Sequence, residues 1–152
     1  MNETSTFNEA EWLKLLFLLA DTQGWLDEMC RNAFAELPVP DKKKLQRKTY
    51  YLTATALAHI VERHYYKISR HPGAGKFHIP VTEILQLIRE ASQVEQSSMA
   101  GTGNFQRTLH TANIIGCDKN GHAAAAITVL TDAGGKILTA FPVGGGGFEK
   151  RP

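Results

Sequence analysis

Apolar residues recur at helical spacing from residue 12 to residue 37, with an interruption at Thr22-Gln23-Gly24. Glycine weakens a helix at that point, so residues 8–37 are predicted to form two packed helices or one kinked helix. Asn8 is placed to cap the first turn. The segment Pro38-Val39-Pro40-Asp41 ends this region, because proline disfavours a helix at its own position and at the residue before it.

The middle of the chain carries two further helical patterns. Three apolar residues fall within about 40° of one another on a helical wheel and mark a buried stripe: Leu57, Val61 and Ile68. They belong to a long helix predicted over residues 43–68. A loop follows at residues 71–75, and Pro80 is predicted to begin another helix that runs to about Ser92. Residues 93–103, rich in Gln, Ser and Gly, are predicted to be a flexible connection.

From Asn104 the pattern changes to short β-compatible runs separated by turn signals. Strands are predicted over residues 108–115, 123–131 and 136–143. Hairpins are predicted at Asp118-Lys119-Asn120-Gly121 and at Asp132-Ala133-Gly134-Gly135. Helices followed by a meander predict an α+β fold, with N-terminal helices packed on a C-terminal antiparallel sheet.

The chain divides into three parts by composition. Residues 1–40 are predicted to be a helical extension, residues 41–143 the main domain, and residues 144–152 a flexible Gly-rich tail. The hydrophobic share of 43% is that of a globular protein. Cys30 and Cys117 have apolar neighbours and no second Cys or His at a metal-site interval, so we expect two free thiols in a reducing compartment.

Charge gives a weak indication of the partner. The chain has 17 Lys and Arg against 15 Asp and Glu, a net charge of +2. Five basic residues crowd between Lys42 and Lys48, either as a solvated segment or as a phosphate-binding patch. The apolar run from Trp12 to Ala20 is too short to span a bilayer and follows acidic residues, so we expect neither a membrane anchor nor an export signal.

Two histidines on the predicted central helix are the first candidates for chemistry. His59 and Arg63 are four residues apart and share one helix face, which is either solvated or the floor of a cleft under the sheet. His64 lies at the border of the buried stripe. A metal site is not predicted, because His59 and His64 are five residues apart whereas paired helical ligands are four apart. No cofactor is expected.

The chain contains the types of side chain that metal-independent cleavage of RNA requires. The ribose 2′-hydroxyl attacks its own phosphate, so the enzyme supplies a base, an acid and donors to the phosphoryl oxygens. Histidine suits both proton transfers, and arginine binds phosphate through two parallel bonds. We therefore single out His59 and His64 as acid and base in either order. Further candidates are Arg63 or Arg107 for phosphate, Thr139 as a hydroxyl donor, Phe141 for base stacking, and His110 as another site residue.

The helix segment His59-Ile60-Val61-Glu62-Arg63-His64 and the strand Ile137-Leu138-Thr139-Ala140-Phe141-Pro142 resemble the barnase–EndoU–colicin–RelE nuclease superfamily, in particular domains of phage proteins and polymorphic bacterial toxins. The resemblance covers roughly residues 49–143. It implies helices on an antiparallel sheet of about four strands, and metal-independent cleavage of tRNA or mRNA to a 2′,3′-cyclic phosphate. It also implies a cognate immunity protein or antitoxin, and action in the cytoplasm of the producing or a target bacterial cell.

Carried over by position, the resemblance assigns His59 and His64 as the helix histidines and Thr139 as the strand hydroxyl. Phe141 stands where related toxins often have Tyr, so this chain lacks that phenol. Residues 1–40 lie outside the resemblance and could be a helical cap, a homodimerisation element or a docking segment. The alternative to an endoribonuclease toxin is a non-catalytic module that binds RNA or protein, or an adaptor whose N-terminal helices carry the function.

Overall fold

The structure, a computed structural model, describes residues 7–35 and 50–144. Its helices are α1 (Glu9–Ala35), α2 (Ala54–His64) and α3 (Val81–Glu90), the last continuing into a short 3-10 turn at Ala91–Gln93. Its strands are β1 (Lys76–Phe77), β2 (Ser97–Met99), β3 (Asn104–His110), β4 (Gly116–Cys117), β5 (Ala123–Thr131) and β6 (Ile137–Gly144). The predicted α+β fold with helices preceding an antiparallel sheet is confirmed.

Helix α1 is continuous over Glu9–Ala35, so the alternative of two separate helices with a break at Thr22-Gln23-Gly24 is wrong. Apart from the neighbouring residues and the helix's own backbone, no atom lies within 4 Å of the place where a Cβ on Gly24 would stand, so packing does not require a glycine there. The Thr22 hydroxyl donates to the Leu18 carbonyl and stays within the helix. The predicted cap is confirmed, because Asn8 Oδ1 accepts the Glu11 N–H at 3.1 Å.

Of the helix predicted over residues 43–68, residues 43–49 lie outside the described residues, and within residues 50–68 only α2 is helical. It begins after Thr53, whose side chain accepts the Ala56 N–H at 3.0 Å, and it ends at His64. Just before it the chain is extended, and Tyr51 pairs with Lys136 beside the sheet. The basic cluster between Lys42 and Lys48 lies outside the described residues, as do the Pro38–Asp41 boundary and residues 145–152 of the tail.

Helix α3 begins as predicted, with Pro80 at its N-cap. The sheet has six strands among the described residues rather than about four. Three of the six, β1, β2 and β4, are only two or three residues long. β5 matches its predicted range and pairs with β3, β4 and β6, all antiparallel.

The strand predicted over residues 108–115 is interrupted. Thr111 and Ile115 donate their N–H groups to Ala125 and Ala124, which are adjacent on β5. The three residues between the two donors therefore loop out of the ladder, and β4 resumes the pairing. Both predicted hairpins are present, closed by Gly121 and Gly135 with φ of 84° and 91°.

The core lies between the helices and one face of the sheet. α2 supplies Ile60 and Val61, α3 supplies Ile84, and β5 supplies Ile127 and Val129, none of which exposes any surface. α1 adds the buried Leu16 and is tied to the region after α2 through Glu9, which accepts the Tyr65 hydroxyl at 2.6 Å and pairs with Lys67 at 3.3 Å. None of the described helices combines the length and apolarity that crossing a membrane requires.

Candidate active site

A cleft of about 850 Å³ opens beside the C-terminal end of α2. We call it the cleft throughout. Three segments form its walls: the end of α2 with the loop over residues 70–75, the β4–β5 hairpin, and the last residues of β6. Among the described residues, its polar lining is mostly basic, with Asp118 as the single carboxylate; the basic side chains are Arg63, His64, Arg70, His71, Lys119 and His122.

His64 is the most constrained of these groups. It is 7% exposed, and its Nδ1 lies 2.9 Å from the Gly75 carbonyl oxygen. Because a carbonyl can only accept, Nδ1 carries the proton and Nε2 is the unprotonated nitrogen of the neutral ring. Burial lowers the pKa of His64, and the nearby positive charges of Arg63 and Lys76 act in the same direction, against the hydrogen bond to Gly75. His64 is therefore a neutral imidazole at neutral pH.

The loop after α2 is held close to the sheet. The Lys76 ammonium donates hydrogen bonds to the carbonyl oxygens of Arg63 and Ile68, with N–O distances of 2.8 and 3.2 Å. These bonds connect the end of α2 to β1. A Cβ on Gly75 would stand 3.0 Å from the Cys117 carbonyl oxygen, so glycine permits this approach. The loop thereby places the Gly75 carbonyl against His64 and brings Arg70 and His71 to the cleft.

The opposite wall is the hairpin between β4 and β5. Asp118 Oδ1 accepts the N–H groups of Asn120 and His122, both at 2.9 Å, and Oδ2 lies 3.6 Å from His122 Nδ1. Burial acts to raise the pKa of Asp118, but the two N–H groups and the His122 ring outweigh it, and the pKa lies below its usual value. Asp118 is thus an ionised carboxylate within ion-pair distance of His122.

Strand β6 completes the cleft. A Cβ on Gly144 would collide with the Asp118 carboxylate, so glycine lets the strand end pass close to the hairpin. Phe141 is half-buried, and its ring centroid lies 5.9 Å from that of His64, with the planes tilted by 42°. An aromatic face beside an imidazole offers a surface on which a nucleobase can stack.

The structure brings three of the sequence-predicted site residues together: Arg63, His64 and Phe141 all line the cleft. His59 does not. It is exposed on α2 five residues before His64, which on a helix means about 140° of rotation and about 7.5 Å of translation. Thr139 does not line the cleft either, because it lies two residues before Phe141 and pairs with Leu130, farther from the end of β6.

Arg107 and His110 lie elsewhere. The Arg107 guanidinium covers the Tyr50 ring at 4.7 Å, and its Nε donates to the Val94 carbonyl at 3.1 Å. His110 stands at the end of β3 and lines a second cavity of about 660 Å³ between α3 and β3, which we call the groove. The groove also contains Glu83, Glu90 and Ile114.

Sequence reasoning missed Asp118, His71 and His122 as site residues. The hairpin signal placed Asp118 in a turn, yet no pattern in the chain relates this turn to the end of α2. In residues 7–35 and 50–144, no three His, Cys, Asp or Glu side chains group as metal ligands would. No family model matches the chain, and no match was found among the curated proteins or the solved structures.

Proposed function

We propose that the cleft binds RNA and cleaves it without a metal ion, so that the protein is an endoribonuclease. In this reaction the ribose 2′-oxygen attacks the adjacent phosphorus and the bond from phosphorus to the 5′-oxygen breaks. The products are a 2′,3′-cyclic phosphate and a new 5′-hydroxyl. A base takes the proton of the 2′-hydroxyl, and an acid gives a proton to the leaving 5′-oxygen.

The observation that carries this proposal is the state of His64. Its Nδ1 is committed to the Gly75 carbonyl, its ring is neutral, and it lies in a cleft rich in cationic side chains. A neutral imidazole with an unprotonated Nε2 is a general base at neutral pH. We assign His64 this role.

The proposed acid stands on the hairpin. His122 lies within ion-pair distance of the Asp118 carboxylate, an arrangement that orients an imidazole and compensates a proton on it. His71 lines the cleft as well and is the second candidate. In this scheme Asp118 is a positioning residue, since it acts through His122 and the hairpin backbone.

In this proposal the cationic side chains of the cleft bind the phosphate. Arg63, Arg70 and Lys119 are exposed there, and Arg70 also pairs with Glu62 at 3.1 Å. Guanidinium groups match the oxygens of a phosphate and stabilise the charge that builds up on them in the transition state. Phe141 supplies the stacking surface for a base.

The biological setting in this proposal follows from the resemblance noted above. A ribonuclease of that type is a toxin that acts on tRNA or mRNA in bacterial cytoplasm and is neutralised by an immunity protein or antitoxin. A basic cleft suits an inhibitor that covers it with acidic side chains.

The test is cleavage of a labelled oligoribonucleotide by the purified protein in excess EDTA, compared with the same sequence in DNA. We expect cleavage of the RNA, a 2′,3′-cyclic phosphate on the upstream product, and an intact DNA strand. Cleavage of both strands would contradict attack by the 2′-hydroxyl. Binding of RNA without cleavage would instead support the non-catalytic module.

A further inference from the structure

Helix α1 presents a broad apolar surface to solvent. Six large side chains are 52–73% exposed, although all are strongly hydrophobic: Leu15, Leu18, Leu19, Trp25, Leu26 and Met29. The other side of the same helix packs on the core through Leu16, which is 5% exposed. α1 is therefore apolar on two sides, and only one of them is covered by the domain.

The exposed residues follow the spacing of a helix that pairs with another helix. Five positions at alternating intervals of three and four form the stripe: Leu15, Leu18, Thr22, Trp25 and Met29. Leu19 and Leu26 lie along one border of it. Such a run of knob positions is the pattern of a two-helix seam.

We propose that this stripe is the interface of a homodimer, in which α1 packs against α1 of a second copy in antiparallel orientation. A two-fold interface brings residue i against residue j and residue j against residue i. With the axis at Thr22, each apolar residue of the stripe meets another apolar residue. Leu15 faces Met29 of the second copy, Leu18 faces Leu26, and Leu19 faces Trp25.

The area available matches a stable dimer. If each large apolar side chain has on the order of 200 Å² to bury, as an aromatic side chain does, the six residues at their observed exposure present roughly 700 Å². A standard protein interface buries about 800 Å² from each partner, whereas the largest apolar patch of a monomer is typically about 300–600 Å². A second copy covers this surface with a surface of the same size and character.

Charge favours the antiparallel arrangement. Lys14, Asp21 and Glu28 form the other border of the stripe, and all three are exposed. With the axis at Thr22, Lys14 of each copy lies two residues, about 3 Å along the helix, from the position opposite Glu28 of the other copy. The long side chains of Lys14 and Glu28 span this offset, which makes two opposite-charge contacts against one pair of like charges at Asp21. Parallel pairing would set this charged border against the apolar border with Leu19 and Leu26.

The first experiment is sedimentation equilibrium of the full chain over a wide range of concentration. We expect a dimer for the wild type and self-association weakened about 30-fold or more by Leu18→Glu, as for a central interface residue. Leu18 is 61% exposed, so the variant should keep its fold, checked by circular dichroism. The matched control is Ile114→Glu, whose site is 65% exposed beside the groove and which should remain dimeric.

A charge exchange tests the orientation. Lys14→Glu should weaken the dimer by roughly 5- to 10-fold, since it turns both cross-helix contacts into repulsions, and Lys14→Glu with Glu28→Lys should restore it. Failure of the double variant to restore association would overturn the antiparallel register.

Other results would overturn the dimer itself. A wild type that stays monomeric at every concentration would do so, whether or not its stripe binds lipid vesicles. A dimer that persists in Leu18→Glu would do so as well. The nuclease proposal is independent of each, because none of the stripe residues lines the cleft.

Discussion

The cleft and the groove are two cavities on one small domain, and they differ in charge. The cleft gathers Arg63, Arg70 and Lys119 with several imidazoles, whereas the groove carries Glu83 and Glu90. Each contains at least one histidine. A polyanion is attracted to the first cavity and repelled from the second, so the charge of the walls, more than the presence of histidine, separates a candidate nuclease site from an ordinary surface depression.

The largest effect should come from the histidine of the cleft. His64→Asn keeps a donor near Nδ1 for the Gly75 carbonyl and removes the base nitrogen, so we expect RNA cleavage to fall about 10²- to 10⁴-fold. His110→Asn in the groove and His59→Asn on the outer side of α2 are the controls. Single-turnover cleavage rates should place both within about twofold of the wild type, and a large loss in either would contradict the assignment of the site.

The next effect concerns RNA affinity. Arg70→Gln with Lys119→Gln removes two cationic groups from the cleft, and we expect RNA binding to weaken roughly 30-fold at low salt. The slope of log affinity against log salt should become shallower by about 1.4 for a single strand. Fluorescence anisotropy with a non-cleavable 2′-deoxy analogue measures both quantities. Glu83→Gln with Glu90→Gln in the groove should leave them unchanged, and an equal loss there would mean that RNA binds across both cavities.

A smaller effect should separate the two hairpins. Asp118 and Asp132 both accept two turn N–H groups through Oδ1, but only Asp118 lines the cleft. Asn keeps an acceptor oxygen, so Asp118→Asn preserves the turn while removing the charge beside His122. We expect a loss of cleavage of roughly tenfold or less, with an altered pH profile, and no loss for Asp132→Asn. Equal behaviour of the two variants would remove Asp118 from its positioning role.

The smallest effect is on stability. Because the pKa of His64 is below its ordinary 6.5 in the folded protein, the unfolded chain takes up this proton first as the pH falls. The contribution of the neutral His64 ring to the free energy of unfolding is therefore fully present above pH 6.5, and it is lost as the pH falls through the pKa of His64 in the folded protein. Urea unfolding between about pH 8 and pH 5 should show a steeper loss for the wild type than for His64→Asn. If the free energy of unfolding fell equally with pH in the wild type and in His64→Asn, the His64 ring would not be neutral and buried in the folded protein.

Elements with a strong local signal were predictable from sequence. Residues 123–131 are a β-compatible run between two turn signals and form β5 as predicted, and Pro80 marks the start of α3. Strands β1 and β4 were not predictable, because two residues have no period and exist only by pairing with each other and with β5. The short α2 escaped prediction because Thr53 caps it and Tyr51 pairs with Lys136, a contact between distant segments.

The candidate site shows the same limit. His64, Arg63 and Phe141 were chosen from sequence and line the cleft, but the choice of His59 and Thr139 rested on shared helix or strand membership. Position along an element decides which residues line the cleft: Thr139, two residues before Phe141, and His59, five residues before His64, do not line it. The contribution of the 118–122 hairpin depends on Gly144 passing beside Asp118, which is a tertiary contact.

The most direct test of the account is nitrogen NMR of the His64 ring during a pH titration, with and without a 2′-deoxy dinucleotide. We predict a neutral ring at pH 7 with its proton on Nδ1, protonation of Nε2 only below pH 6.5, and a shift of the Nε2 resonance when the dinucleotide binds. A proton on Nε2 at neutral pH, or ring resonances that the dinucleotide leaves unchanged, would contradict the assignment of His64 as the base of an RNA-cleaving cleft.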